Sequence, residues 1–341
     1  MKKNQMEKEK HGVASGPVEP ERLIEVSRLT KSFEEVEAVS GISFDVRRGE
    51  VFGFLGPNGA GKTTTINMLT GLARPNAGTI RIAGLDCSAD PKAAQHLIGV
   101  VPDESNLYPE LTGYDNLCFC ASLYGIEKGE RRRRADHLLR QFRLQEAAHR
   151  KFSGYSKGMK RKLTIAAGII HQPEILFLDE PTTGIDVASA RQIRQLISDM
   201  YRGGTTIFLT THYIEEAERL CERIAFIVNG RIVRNEHVST LLQPIQQRKG
   251  LLITANGNLS GMTGKLAHAF PEYTFRAVSN QELRVDSVQT IGIGPVVRYM
   301  EEQGAEVTEA RQIKPTLEDV FVDVTGIESD AMRTEKNGGR S

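Results

Sequence analysis

The stretch Gly56-Pro-Asn-Gly-Ala-Gly-Lys-Thr63 decides the fold of this chain. It matches the phosphate-binding pattern G-x-x-x-x-G-K-[ST], in which glycines let successive backbone N–H groups converge on phosphate oxygens. The apolar run 51–55 before it is typical of a buried strand, and the segment 64–72 after it has helical character. A strand, a glycine loop and a helix in this order predict a phosphate-loop α/β domain.

The motif assigns roles to individual residues of this loop. We expect Lys62 to reach the β- and γ-phosphates of ATP and the Thr63 hydroxyl to ligate Mg²⁺. The positive end of the following helix should attract the same phosphates. The loop residues predicted to bind the nucleotide are Gly56, Pro57, Asn58, Gly59, Ala60, Gly61, Lys62, Thr63 and Thr64.

Two carboxylates follow a second apolar run, 175–178, which predicts a central strand. Asp179 lies where it can join the Mg²⁺ shell, and Glu180 is placed to act on the attacking water. A lone Asp-Glu pair in this place can also cap a helix, but after a phosphate loop the catalytic interpretation is favoured. The predicted cofactors are therefore ATP and Mg²⁺.

Composition and charge limit the remaining possibilities. The chain has 341 residues, which suggests two domains, and its 44 Lys and Arg against 43 Asp and Glu leave a net charge of +1. Because no global basic footprint is present, no nucleic-acid partner is expected. The four cysteines show no C-x-x-C spacing, which fits a reducing cytosol. No apolar run approaches the ~20 residues of a membrane span, so we expect any membrane role to depend on a partner.

Patterns along the chain predict its organisation. Strands are expected at 23–29, 42–46, 79–82, 98–101, 205–209 and 224–228, and helices at 160–170 and 214–220. The order β-α-β-β-α-β from 251 to 310 suggests a small ferredoxin-like domain, with a short helix at 316–322. The predicted divisions are a disordered tail at 1–20, a nucleotide-binding domain at 21–242 with a helical subdomain at about 103–158, a C-terminal α+β domain with a regulatory role at 245–325, and a polar tail at 328–341.

Further motifs complete a family pattern. Tyr155-Ser-Lys-Gly-Met159 resembles the signature of ABC-type ATPases, usually written LSGGQ. Thr183-Gly-Ile-Asp186 resembles the D-loop of that family, and His212 resembles its switch histidine. Phe33 occupies the place of the aromatic residue that stacks on adenine, although a buried core aromatic would give the same pattern. The resemblance covers roughly residues 22–240.

The resemblance implies a dimer, formed with a second copy or a close homologue. In this family the signature of one chain closes over the γ-phosphate held by another, so Ser156 and Gly158, before a helix that begins near Lys160, would complete the partner's site. Asp186 would also bind there. The implied catalytic residues are Glu180, His212 and Asp103, with Thr63, Asp179 and Asp103 on the metal.

Two positions depart from the family pattern. Asp103 stands where glutamine is usual, and a carboxylate can contact Mg²⁺ or its water but cannot donate a hydrogen bond. In the signature, Lys157 replaces glycine and leaves two alternatives, a positive charge near the partner's nucleotide or a solvent-facing side chain. The run Arg131–Arg134 likewise leaves open a solvated helix face or a docking surface for an acidic group.

The stretches 181–186, 211–220 and 315–321 resemble the ATPase chains of two-component drug and antibiotic exporters. That branch implies a separate integral membrane permease and a peripheral position on the cytoplasmic face of the cell membrane. Residues 107–111 are the expected contact surface. The alternative is a soluble ABC ATPase acting on nucleic acid or ribosomes. The signature sequence disfavours a phosphate-loop kinase, which does not require it. The presence of Glu180 disfavours a binding module that does not hydrolyse ATP.

Overall fold

The computed structural model describes residues 21–245, 248–259 and 261–327, so the predicted tails at 1–20 and 328–341 lie outside the described residues. None of the helices in these ranges combines the length and the apolar character that a bilayer crossing requires. The strands of these ranges are β1 (Arg22–Phe33), β2 (Val36–Arg47), β3 (Val51–Leu55), β4 (Ala77–Ile82), β5 (Leu85–Asp86), β6 (Ile98–Val101), β7 (Ile175–Asp179), β8 (Thr206–Thr211), β9 (Arg223–Val228), β10 (Arg231–His237), β11 (Lys249–Asn256), β12 (Thr274–Ala277), β13 (Glu282–Ser287) and β14 (Glu306–Ile313). The helices are α1 (Lys62–Leu69), α2 (Gly113–Leu123), α3 (Lys128–Gln141), α4 (Lys157–Ile169), α5 (Val187–Arg202), α6 (Ile214–Leu220), α7 (Val238–Leu242), α8 (Met262–Ala269), α9 (Ile293–Glu302) and α10 (Leu317–Thr325).

A six-stranded sheet of order β10-β9-β3-β8-β7-β6 forms the centre of the nucleotide-binding part. Its strands run parallel, except for β10, which pairs antiparallel with β9. Every residue of β3, β7 and β8 is buried, which explains the apolar runs 51–55, 175–178 and 207–209 within them. Because parallel strands bring their carboxyl ends to one edge, the segments after β3, β7 and β8 meet there. The predicted α/β phosphate-loop fold is confirmed.

An antiparallel sheet of order β2-β1-β4-β5 packs against the central sheet through phenylalanines. Phe44 of β2 stacks on Phe52 of β3 with ring centroids 5.6 Å apart and ring planes 9° from parallel. The same ring lies 5.6 Å from Phe54 and 6.0 Å from Phe208. Such pairs add about 0.5–1.5 kcal/mol beyond burial, so this cluster fixes the strand that leads into the phosphate loop.

Helices α2, α3 and α4 form the helical part. Thr112 caps α2, since its Oγ1 accepts a hydrogen bond from the Asp115 N–H at 3.0 Å. The prediction that α4 begins near Lys160 is wrong by one turn. The helix begins at Lys157 because Ser156 is its cap, with Oγ accepting from the Met159 N–H at 3.2 Å.

Helix α5 was not predicted from the sequence. Asp186 caps it by accepting a hydrogen bond from the Ser189 N–H at 2.9 Å. Ala190, Ile193 and Ile197 face the core at helical spacing. The many polar residues between them make this apolar periodicity difficult to recognise in the sequence.

The C-terminal part contains the predicted order of elements from β11 to β14. Its sheet has the order β12-β13-β11-β14 with every pair antiparallel. The ferredoxin-like assignment and the domain boundaries stay predictions. Helix α10, however, packs into the core of the nucleotide-binding part, where Leu317 and Phe321 are fully buried and Phe321 meets Phe226 of β9 edge to face at 5.2 Å.

Candidate active site

The phosphate loop runs from Gly56 to Gly61, between the end of β3 and α1, and the glycines at its two ends are required by space. A Cβ on Gly56 would lie 2.1 Å from the Ile227 carbonyl oxygen. Gly61 has φ of 104°, and a Cβ there would lie 2.5 Å from the Ala38 carbonyl oxygen. Within the part of the chain that the structure describes, no side chain caps α1, so its first N–H groups remain suited to an anion. The loop fits the phosphate cradle that its sequence predicts.

Lys62 is the first residue of α1 and is buried. Its Nζ donates hydrogen bonds to the carbonyls of Gly56 at 2.8 Å and Pro57 at 3.3 Å. It also lies 3.4 Å from Oε1 of Glu180. The ammonium group of Lys62 thus lies within the loop and beside the carboxylate of Glu180. From this position a small movement would bring it into contact with a bound phosphate.

Thr63 and Asp179 are joined directly across the site. The Thr63 hydroxyl donates to Oδ2 of Asp179 at 3.1 Å, and the Thr210 hydroxyl donates to Oδ1. Asp179 is buried, with 4% of its surface exposed. Thr210, its neighbour on the adjacent strand β8, fixes the orientation of its carboxylate through this hydrogen bond. A hydroxyl and a carboxylate at this separation are the hard oxygen ligands that Mg²⁺ prefers. These two residues fit the predicted metal.

Glu180 contacts three other residues through its carboxylate. Its Oε2 lies 2.9 Å from Nδ1 of His212 and accepts from the Thr183 hydroxyl at 3.0 Å. Burial alone would raise the pKa of Glu180, but the hydrogen bond with His212 and the charge of Lys62 together hold that pKa below its ordinary value. Glu180 therefore stays ionised and oriented, as a group that accepts a proton from water must be.

The backbone of Glu180 is itself unusual. Its φ of 48° lies in the left-handed region, which costs a non-glycine residue about 1–2 kcal/mol. The buried Arg161 of α4 donates to main-chain carbonyls around this turn. Sequence reasoning missed Arg161 because its partners are backbone atoms, which leave no side-chain pattern.

Asp103 follows β6 and lies at the rim of the site. Its side chain is 53% exposed, and Oδ1 lies 3.5 Å from Nη2 of Arg161. Partial burial of the side chain raises the pKa of Asp103. The negative charges of Asp179 and Glu180 raise this pKa further, while the positive charge of Arg161 opposes them. The predicted metal and catalytic roles of Asp103 stay predictions.

The remaining predicted residues lie apart from this cluster. Among the described residues no hydrogen bond or ion pair links Phe33, Ser156, Gly158 or Asp186 to it. Phe33 is 53% exposed, so the core alternative for this ring is wrong, and Lys31 Nζ lies 5.0 Å from its centroid.

Gly158 makes its close approach within the chain. A Cβ there would lie 2.3 Å from Oγ of Ser189, next to the cap that Asp186 forms for α5. The predicted approach of Gly158 to a partner's nucleotide therefore stays a prediction. In the phosphate loop, Asn58, Gly59 and Thr63 are exposed, whereas Pro57 and Thr64 are half-buried and Ala60 is buried.

Comparison with known proteins agrees with this geometry. A family model described as ABC transporter matches residues 39–183. The chain is 43% identical over 223 residues to the Nod factor export ATP-binding protein I of Paraburkholderia xenovorans (strain LB400), covering 65% of this chain and 73% of that protein. It is 34% identical over 305 residues to a daunorubicin resistance ATP-binding protein of Streptomyces coeruleorubidus, covering 89% and 96%. A dimeric ATP-binding cassette solved in a post-hydrolysis state with ADP and phosphate superposes with a TM-score of 0.58 at 27% identity, covering 63% of this chain and 98% of that one.

Proposed function

Since the chain belongs to the ABC transporter family and is an ATP-hydrolysing, ATP-binding subunit of the exporter type, we propose that two copies close around two ATP molecules and drive a separate membrane permease. The observation that carries this proposal is the contact set Thr63–Asp179 and Lys62–Glu180–His212 at one edge of the central sheet. This contact set supports the proposal, because a phosphate cradle, a pair of oxygen ligands for a metal and a carboxylate base would then lie side by side.

The first step is the binding of ATP on the phosphate loop. The free N–H groups at the start of α1 donate to the phosphates, and Lys62 exchanges its loop carbonyls for phosphate oxygens. Thr63 and Asp179 are the residues that would hold Mg²⁺. That ion, when bound, neutralises charge on the phosphate oxygens.

The second step is the attack of water on the γ-phosphate, in which a bond from phosphorus to the water oxygen forms as the bond to the β–γ bridging oxygen breaks and ADP leaves. Glu180 accepts a hydrogen bond from that water and takes its proton. A carboxylate can do this only while it is ionised, and the lowered pKa of Glu180 keeps it ionised. His212 and Thr183 hold Oε2, so that Oε1 remains for the water once Lys62 has moved to the phosphates. The residues of this step come from the ends of two neighbouring strands.

Dimerisation supplies the other side of the nucleotide. Ser156 caps α4, a thirteen-residue helix whose N-terminus offers N–H groups and a hydroxyl to an anion. The dimeric relative with ADP and phosphate supports this arrangement.

The dimer can be tested with Glu180→Gln, which should bind ATP without turning it over. Light scattering during size-exclusion chromatography should then report a dimer with ATP and Mg²⁺ and a monomer without ATP. Lys62→Ala in the same background is the matched control and should stay monomeric. A Glu180→Gln protein that stays monomeric with saturating ATP would contradict the closed dimer.

A permease would dock on the helical part. Tyr108 is 46% exposed and Phe119 of α2 is 37% exposed, and their rings meet edge to face with centroids 5.0 Å apart. Leu107 does not belong to this surface, because it is 8% exposed and packs in the core. We place the docking surface on the Tyr108–Phe119 pair. Through it the chain would lie peripherally on the cytoplasmic face of the membrane.

A further inference from the structure

Arg161 is the buried group of the site that the proposed chemistry leaves unused. Its guanidinium donates to three consecutive main-chain carbonyls, those of Asp179 at 3.1 Å, Glu180, and Pro181 at 3.0 Å. It also donates to the carbonyl of Pro102, which follows β6. Arg161 itself is 7% exposed. One side chain therefore supplies donors to the main chain on both sides of the carbonyl of Glu180 and to that carbonyl itself.

This turn needs such support because Glu180 has a left-handed backbone. A non-glycine residue keeps that conformation only where surrounding groups determine it more than once. Two further hydrogen bonds act here, from the Glu180 N–H to Thr210 O at 3.1 Å and from the Thr183 N–H to Glu180 O at 3.3 Å. The rigid, planar guanidinium is suited to holding several carbonyls at once.

We propose that Arg161 is a positioning residue for ATP hydrolysis, which holds the left-handed turn at Glu180 and thereby aims its carboxylate. The inference rests on the role proposed for Glu180. Without the guanidinium, the turn relaxes toward ordinary backbone and carries Oε1 and Oε2 away from Lys62 and His212.

The contacts of Arg161 also predict which kinetic step depends on it. Among the described residues, its hydrogen bonds reach the ends of β6 and β7 and none reaches the phosphate loop. Loss of Arg161 should therefore lower kcat and leave the affinity for ATP unchanged. A residue that only stabilised the fold would not separate these two quantities.

The test compares Arg161→Met and Arg161→Lys with a matched control, Lys162→Met. Lys162 is the next residue of α4 and is equally buried, but its Nζ donates to the Gln192 side chain at 3.1 Å and not to the turn. We expect Arg161→Met to lower kcat by at least about tenfold with the Kd for ATP within about twofold, because several hydrogen bonds to one charged donor are lost. Arg161→Lys should recover part of kcat, and Lys162→Met should keep it.

Amide hydrogen exchange gives a readout that does not depend on turnover. Exchange of the Thr183 amide should rise in both Arg161 variants and stay unchanged in Lys162→Met. If Arg161→Met does not fold, the same comparison is made with Arg161→Lys. Normal exchange at Thr183 together with full kcat in Arg161→Lys overturns the inference.

A double-mutant cycle with Glu180→Gln separates this inference from the role of Glu180. In the Glu180→Gln background, Arg161→Met should cause no further fall in the residual rate, since the group that it positions is gone. If Arg161→Met lowers the rate by the same factor in both backgrounds, the inference is overturned. It is also overturned if Arg161→Met weakens the affinity for ATP by as much as it lowers kcat. Wild-type turnover in Glu180→Gln alone contradicts the role of Glu180, and the inference falls with it.

Discussion

Nδ1 of His212 lies 2.9 Å from Oε2 of Glu180, and this contact joins the ends of two neighbouring strands, β8 and β7. The hydrogen bond lowers the pKa of Glu180 against the opposing effect of burial. Its loss should therefore affect both the orientation of the carboxylate and the pH at which it ionises.

We predict that His212→Ala lowers kcat by about 10- to 100-fold, the cost of one hydrogen bond to a charged group. Because the lowered pKa keeps Glu180 ionised down to low pH, removing His212 should move the acid limb of the pH–rate profile to higher pH. Steady-state rates measured across pH check both effects. His149→Ala, which removes a histidine that packs on Tyr114, is the control. An unshifted acid limb would mean that His212 does not tune Glu180.

Glu216 of α6 predicts a different pH effect, on stability. It is 4% exposed, its Oε1 accepts from the Thr182 hydroxyl at 2.8 Å, and burial raises its pKa above the ordinary 4.5. Because the pKa of Glu216 is raised in the folded state, its protonated form stabilises the fold. This stabilisation is complete below pH 4.5 and is lost as the pH rises through the pKa of Glu216 in the folded protein.

Glu216→Gln should therefore gain stability relative to wild type as pH rises through this window, by up to about 1.4 kcal/mol per pH unit. Urea unfolding at a series of pH values measures the difference. Glu215→Gln removes an exposed carboxylate from the neighbouring residue and controls for net charge. A difference between Glu216→Gln and wild type that does not vary with pH would refute the prediction.

The Tyr108–Phe119 surface predicts a loss of assembly. Tyr108→Asp combined with Phe119→Asp should abolish co-purification with a membrane protein from native cells, because two charges replace an apolar contact. ATP hydrolysis by the isolated chain should persist. Val278→Asp, an exposed position in the C-terminal part, is the control. A variant that still co-purifies would place the surface elsewhere, and the absence of any membrane partner for wild type would favour the soluble alternative.

Phe321 predicts that the C-terminal helix stabilises the nucleotide-binding part. Phe321→Ala should lower the free energy of unfolding by about 3–5 kcal/mol, because the ring is fully buried against Phe226. The affinity for ATP should stay within about twofold. Urea denaturation and nucleotide titration measure the two quantities, and a loss below about 1 kcal/mol would contradict this packing.

Much of the site could be predicted because its residues share one sequence pattern. The phosphate loop, Asp179 and His212 each follow an apolar strand, and parallel strands bring such segments to one edge. The capped start of α2 was also readable, since Thr112 and Asp115 have fixed spacing.

Other features could not be read from the sequence, for identifiable reasons. Arg161 acts on carbonyls, which every residue carries. The family resemblance puts the whole stretch 107–111 on the contact surface, yet the chain turns Leu107 into the core. The domain boundaries at 245 and 325 stay predictions, but no sequence pattern indicated the packing of α10, whose Leu317 N–H donates to Glu218 of α6 at 2.9 Å. Deleting that whole range would uncover buried core.

The most direct test of the account is the separation of ATP binding from hydrolysis in two variants. Lys62→Ala should lose ATP affinity, whereas Glu180→Gln should bind ATP within about threefold of the wild-type Kd and lose at least about 100-fold in single-turnover rate. Nucleotide titration and single-turnover hydrolysis on the same preparations measure both. Hydrolysis by Glu180→Gln at the wild-type rate would contradict the assignment of Glu180 as the base.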